Sequence, residues 1–343
     1  MDYRKLGRTG LDISPICLGA MGFGPPDRGH PAWTLDEPAS RDLIKHAIEA
    51  GINFFDTANF YSFGGSEEFL GRAIKDFADR DSVVIATKVR VPMRSGPNAG
   101  GLSRKAIMTE IDHSLRRLGV DHIDLYQIHR IDQETPWEET LETLDDLVRA
   151  GKVRYLGASS MKAWEFSKAL HLQKANGWAR FVSMQDNYNL VNREEEREML
   201  PLCADEGVST IVYSPLARGR LARPWGQQTA RSAAEPYVEM LFQGTEDSDR
   251  RIVEAVADVA RERGVSQAQI ALAWLRRNPV VAAPIVGALE PRHIDDAVAS
   301  LSIALTDDEA ARMEAPYTPR EDPQAVSDPA ELNRRLQAIG VSL

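Results

Sequence analysis

Cysteine is almost missing from this chain. Cys17 and Cys203 are the two in 343 residues, and each lies in an apolar run. Two such thiols make no disulfide framework, and each is expected to be buried and free. Long apolar runs are missing as well: none approaches the roughly 18 residues that a membrane-spanning helix needs. The opening Met1-Asp2-Tyr3-Arg4-Lys5 has no apolar stretch behind a basic start. Neither a membrane span nor a signal peptide is therefore expected, and the cytoplasm is the expected location. Positive charge is not in excess: 41 Lys and Arg face 51 Asp and Glu, a formal net charge of −10. That balance argues against nucleic acid as a partner, though a few arginines and helix N-termini still suffice for a local anion site.

Several catalytic signatures are missing too. The seven histidines are scattered with no zinc-ligand spacing, so no metal site is expected. No Gly-x-Ser-x-Gly elbow supports hydrolase chemistry. Gly19-Ala20-Met21-Gly22-Phe23-Gly24 has the wrong spacing for the Gly-x-Gly-x-x-Gly dinucleotide fingerprint.

What is present is an alternation of short apolar runs, rich in β-branched residues, with longer helical patterns. Strands are expected at 16–19, 54–56, 83–88, 123–129, 153–159, 182–185, 210–213 and 281–286. Helices are expected at 38–50 before Gly51, at 103–118 before Gly119, and from Thr135 up to Gly151, with Thr135 as N-cap and Pro136 at the first helical position. Several strands are nearly all apolar, which suits parallel strands covered on both faces. The expected fold is α/β, a (β/α)8 TIM barrel with an N-terminal β-hairpin over 3–14 and long loops at the C-terminal face. An open doubly wound sheet is the competing architecture. One barrel domain over 1–343 is expected, with its core at about 3–315 and a tail at 316–343; the region after Thr306 reads as a proline-bearing extension. Two stretches break the rhythm, the Gly/Pro loop 92–101 and the longer insertion 218–247, and long loops of this kind are commonly functional.

In such a barrel, reacting groups sit at the C-terminal ends of strands. Those ends give Asp56, Lys88 and His129 in turn, and Tyr61 follows Asp56 in the adjoining loop. Together they suit carbonyl reduction. Hydride addition leaves an alkoxide that needs a proton. A free tyrosine, with a pKa of about 10, donates poorly near neutrality, and a nearby ammonium lowers that pKa. Lys88 is expected to supply the charge, Asp56 to hold Lys88, and His129 to donate to the substrate oxygen or relay the proton. A barrel aldolase or isomerase with Lys88 as a Schiff base is the weaker alternative, because Asp56 would raise the lysine pKa. The hydride must come from a cofactor. Tyr213-Ser214-Pro215-Leu216-Ala217-Arg218-Gly219 after the seventh strand offers a ring for stacking and a phosphate site, and Pro291-Arg292-His293 opens a helix that offers another.

Two segments then resemble a known family. Gly51-Ile52-Asn53-Phe54-Phe55-Asp56-Thr57-Ala58 with Tyr61, and Leu115-Arg116-Arg117-Leu118-Gly119 with Asp121, Ile123, Asp124 and Leu125, are similar to the two signatures of the aldo-keto reductases. The resemblance covers roughly residues 3–315. Residues 157–160 and 215–219 resemble the bacterial and fungal branch that holds aryl-alcohol dehydrogenases and general aldehyde reductases. It implies NADPH bound in extended form, with NADH less favoured, and a tetrad of Asp56, Tyr61, Lys88 and His129. It implies cofactor contacts at Ala20, Met21 and Asp56, and places the nicotinamide amide near Ser159, Ser160 and Gln185, with Tyr213 on the ring. It places the pyrophosphate along Ser214, Pro215, Leu216, Arg218 and Gly219, and the adenosine phosphate near Gly287, His293, Asp296 and Arg231.

The chain departs from many members in having Ser160 for Asn and Tyr213 for Trp or Phe, and it lacks the Lys or Ser-Arg pattern around 287–293. The family also includes weakly catalytic cofactor-binding partners of potassium channels, a role that would not need Lys88 and His129 together. The substrate is expected to be a small carbonyl compound, polar-aromatic, sugar-like or a simple aromatic aldehyde, met by Trp33 and Arg90 among the mouth loops. A homo-oligomer is compatible with the sequence, which does not fix it.

Overall fold

The computed structural model describes residues 1–29, 33–227, 229, 242 and 244–320. A short antiparallel hairpin comes first, β1 (Arg4–Lys5) against β2 (Asp12–Ile13), with Gly7 in the turn at φ 58°. Next come β3 (Cys17–Gly19), β4 (Phe54–Asp56), β5 (Val84–Val89), β6 (Ile123–Ile128), β7 (Val153–Ser159), β8 (Phe181–Asn187), β9 (Ser209–Tyr213) and β10 (Val281–Gly287). These eight pair in parallel and in sequence order, and β10 closes on β3, so the sheet is a closed barrel. The open doubly wound alternative is thereby overturned.

Alternation along each strand divides its side chains between two cores. Cys17, Phe54, Val84, Ala86, Leu125, Ile211 and Ala283 point inward and pack with Leu6 and Ile13 of the hairpin, which floors the barrel. Leu18, Phe55, Ile85, Tyr126, Ile128, Leu156 and Val212 point outward under the helices. The helices bury stripes spaced by three and four residues, as amphipathic helices do: α1 (Glu37–Glu49) buries Leu43, Ile44 and Ala47. After α2 (Gly65–Phe77), α3 (Arg104–Leu118) begins at Ser103, whose side chain accepts from Ala106 N, and ends at left-handed Gly119. α4 (Trp137–Arg149) departs from expectation. Its cap position is Pro136, and Thr135 instead donates through Oγ1 to Asp132 Oδ2 at 2.7 Å. A second departure lies past Thr306. Thr306 caps a helix over Asp307–Glu314 through a capping box with Glu309, so the chain continues as ordered structure there.

Above the apolar floor, the inward positions turn polar. Lys88 pairs in register with Gln127, Gln127 with Gly157, and Gly157 with Ser183. Gly157 is needed for this crowding, since a Cβ there would stand 2.7 Å from Ser183 Oγ and 2.9 Å from Gln127 Cγ. The strands thus deliver a ring of polar side chains just below the C-terminal mouth.

Candidate active site

Lys88 is fully buried, and Asp56 nearly so. The ammonium donates to Asp56 Oδ1, to the carbonyl of Thr57 at 2.9 Å and to the Tyr61 hydroxyl at 3.4 Å. The second Asp56 oxygen accepts from the amides of Gln127 and Gln185, both at 2.9 Å. Every partner matters here, because buried charges are tolerated only when their hydrogen-bonding capacity is filled. Burial works against the Lys88 charge, but Asp56 and Tyr61 outweigh it and hold the pKa above the ordinary lysine value.

Tyr61 opens a tight turn after β4. Ser62 and Phe63 follow it at φ 48° and 44°, a left-handed pair that costs about 1–2 kcal/mol per residue. That turn follows Tyr61 at once, and the phenol stands against Lys88 and His129. Its phenol pKa is raised, because burial outweighs the opposing pull of Lys88 and Arg218. The expected effect of Lys88 therefore has the right sign but not the net result, and Tyr61 rests as a phenol. His129, one residue past β6, meets the Tyr61 ring edge-on, with centroids 5.9 Å apart. Burial first, then Lys88, Arg130 and Arg90, push its pKa well below the ordinary histidine value, so the imidazole is neutral. Its Nδ1 is buried with no hydrogen-bond partner.

The cofactor candidates form two groups. Ser159 Oγ donates to Gln185 O at 2.9 Å, Ser160 Oγ donates to the Tyr213 hydroxyl at 3.2 Å, and Gln185 reaches Asp56, so these four residues adjoin the Lys88 cluster. Next to them, Ser214, Ala217, Arg218 and Gly219 all have positive φ. Pro215 and Leu216 lie inside this turn, whose Gly219 N–H donates to Leu216 O at 2.8 Å. Such turns converge peptide N–H groups on an anion. Asn189 braces the turn, donating to Ser214 O at 2.9 Å. Ala20 and Met21 follow β3, with Ala20 N donating to Asp56 O at 2.8 Å.

The second group follows β10, the strand that pairs with β9. Gly287 is exposed at the end of β10. Its neighbours are partly engaged within the protein. His293 Nδ1 accepts from Leu289 N at 3.2 Å, Asp296 accepts from Gln269 at 2.6 Å, and Arg292 pairs with Glu290 at 2.6 Å. Arg231 lies outside the described residues. Of the substrate candidates, Trp33 lies over Gly22 near Leu289, on the β3–β10 side of the mouth. Arg90 directly follows β5, on the His129 side. Among the described residues, no three His, Cys, Asp or Glu side chains gather as metal ligands.

Gln127 escaped the sequence reading. It is fully buried and bonds both Asp56 and Gln185. Gln127→Leu should remove about 1.5–3 kcal/mol of stability, the usual value of a hydrogen bond to a charged group. Urea unfolding of the two proteins measures it, and an unchanged midpoint would mean that Asp56 is held without Gln127.

The class this defines is a closed parallel (β/α)8 barrel whose C-terminal mouth gathers a lysine–carboxylate pair, a phenol and an imidazole. The comparisons supply the family. Residues 15–317 match the model of the Aldo/keto reductase family, and the chain belongs to that family of oxidoreductases. It is 44% identical to the versiconal hemiacetal acetate reductase of Aspergillus parasiticus over 340 residues, which cover 93% of this chain and 98% of that one. It is 37% identical to a Saccharomyces cerevisiae protein whose name places it among the aryl-alcohol dehydrogenases, with 92% and 97% covered. It is 36% identical to the Bacillus subtilis oxidoreductase YrpG, with 91% and 94% covered.

Proposed function

We propose that the chain is an NADPH-dependent reductase that converts an aldehyde or ketone into an alcohol, with Tyr61 as proton donor. The observation that carries this reading is the buried Lys88 ammonium, bonded at once to the Asp56 carboxylate and the Tyr61 hydroxyl. NADPH, when bound, supplies the hydride. Ser159, Ser160, Gln185 and Tyr213 would hold its nicotinamide end, and the turn over 214–219 its phosphates.

The remaining work falls to the side chains. An alkoxide is a stronger base than a phenolate, so Tyr61 donates downhill even with a raised pKa. Lys88 then steadies the phenolate left behind. Asp56 keeps Lys88 charged and in place, and His129, being neutral, gives one N–H to the same substrate oxygen. A Schiff-base role would need Lys88 unprotonated, and its raised pKa disfavours that.

The substrate is a small carbonyl compound. A hemiacetal, the group named in the Aspergillus relative, opens to an aldehyde, in keeping with this chemistry. NADH is the less favoured cofactor, although a 2′-phosphate beside the β10 end would compete with Glu290 for Arg292. One barrel domain acting in the cytoplasm completes the proposal. No helix among the described residues is long and apolar enough to cross a membrane.

The test is NADPH consumption with a panel of aldehydes and ketones, followed across pH. His129 titrates well below its ordinary range and Tyr61 above its own. Reduction should therefore keep a level kcat/KM from about pH 6 to 9, straight through the ordinary histidine value of about 6.5. It should fall only as Tyr61 loses its proton, and alcohol oxidation should gain there. A loss of reduction centred near the ordinary histidine pKa would show that the working imidazole is not the neutral one. Absence of NADPH consumption with every carbonyl would remove the reductase reading.

A further inference from the structure

Arg90 directly follows β5, two residues past Lys88, and it is unusual in three respects. Its backbone is at φ 133°, a region that residues with a side chain rarely adopt. Its carbonyl accepts from Gly101 N at 2.8 Å, which closes the loop 90–101 and fixes that conformation. Its Nε is buried and donates to nothing in the protein.

The charges that face it do not satisfy it. Asp132 and Glu134 favour its charge and Arg130 opposes it, while burial depresses its pKa. Asp132 already accepts three hydrogen bonds from elsewhere. Oδ2 accepts from Leu102 N at 2.8 Å and from Thr135 Oγ1 at 2.7 Å, and Oδ1 accepts from Glu134 N at 3.1 Å. Arg90 also lies close enough to His129 to depress its pKa. A partly desolvated guanidinium with no ion-pair partner among the described residues, held in a strained conformation beside His129, can take an external acceptor on its terminal nitrogens.

Resting on the reductase reading, we propose that Arg90 is a specificity residue that takes a carboxylate carried by the carbonyl substrate. The planar fork of a guanidinium matches a carboxylate through two parallel hydrogen bonds, which no ammonium reproduces. Arg90 stands two residues past Lys88, just beyond the end of β5, and beside His129. An aldehyde that carries its carboxylate across one aromatic ring, 4-formylbenzoate, is the probe. Its methyl ester has nearly the same shape and no charge.

The experiment compares these two aldehydes with NADPH in the wild type, Arg90→Met and Arg90→Lys. The wild type should prefer the acid. Arg90→Met should lose about 10- to 100-fold in kcat/KM for the acid, mainly through KM, and at least tenfold less for the ester, on the scale of a charged hydrogen bond. Arg90→Lys should fall between, and it gives the same comparison should the methionine variant not fold. Parallel losses for acid and ester, or no preference in the wild type, would overturn the proposal. Calorimetric titration of 4-formylbenzoate separates the two readings. Binding weakened by Arg90→Met in a protein that reduces neither aldehyde would keep the Arg90 assignment and remove the reductase one. Equal binding by both proteins would overturn the Arg90 assignment alone.

Discussion

Tyr61→Phe should lower kcat for carbonyl reduction by about a hundred- to ten-thousand-fold, the range typical of a positioned general acid, and leave NADPH affinity nearly as it was. The change is a narrow one. Phenylalanine keeps the edge-on contact with His129 and the ring that faces the Lys88 ammonium at 5.0 Å. It removes only the hydroxyl 3.4 Å from Lys88 Nζ. The left-handed turn at Ser62 and Phe63 is untouched, so the loop retains its course. Some turnover should persist, because neutral His129 still offers an N–H to the substrate oxygen. Steady-state NADPH absorbance measures kcat, and NADPH fluorescence titration measures binding. A variant with kcat within about threefold of wild type, a change of under 1 kcal/mol in the barrier, would show that the proton comes from elsewhere.

The gathering of Asp56, Lys88 and His129 was legible because strand ends converge in a barrel whatever the details of packing, and each residue closes an apolar run. The same parity argument reached further than it was taken. Leu125 and Gln127 share the inward face of β6 and His129 continues their spacing just past its end, so a glutamine two positions below His129 is expected among the same inward polar groups. Other features were not legible, for identifiable reasons. The Tyr61 pKa depends on how completely the mouth excludes water, which no run of residues encodes, and burial reversed the shift expected from Lys88 alone. Thr135 and Asp132 form a local alternative to the expected cap, because a threonine hydroxyl bonds whichever acceptor the loop brings near. The helix over Asp307–Glu314 was hidden by the prolines after it, although Thr306 and Glu309 already stood at capping-box spacing. The positive φ of Arg90, Ser160 and Ser214 carries no residue-type signal at all, since glycine is the usual occupant of such positions.

Lys88→Met should cost more than activity. The methionine fills most of the space, but it leaves the Asp56 carboxylate buried with only the Gln127 and Gln185 amides as donors. Breaking a buried pair from one side typically costs about 3–5 kcal/mol, because the remaining charge is uncompensated. Turnover should vanish for a separate reason: the Tyr61 phenolate that follows proton transfer would have no cation beside it. The two effects come apart in a second variant. Adding Asp56→Asn removes the stranded charge while keeping an amide oxygen for Gln127 and Gln185. The double variant should therefore recover most of the lost stability in urea unfolding and remain inactive in NADPH consumption. A double variant no more stable than Lys88→Met would mean that the cost came from packing around the lysine stem. A double variant with restored turnover would mean that the ammonium plays no part in the proton transfer. Recovery of stability without activity is the outcome that separates the two roles of the ion pair, since it assigns Asp56 to holding Lys88 and Lys88 to the charge on Tyr61.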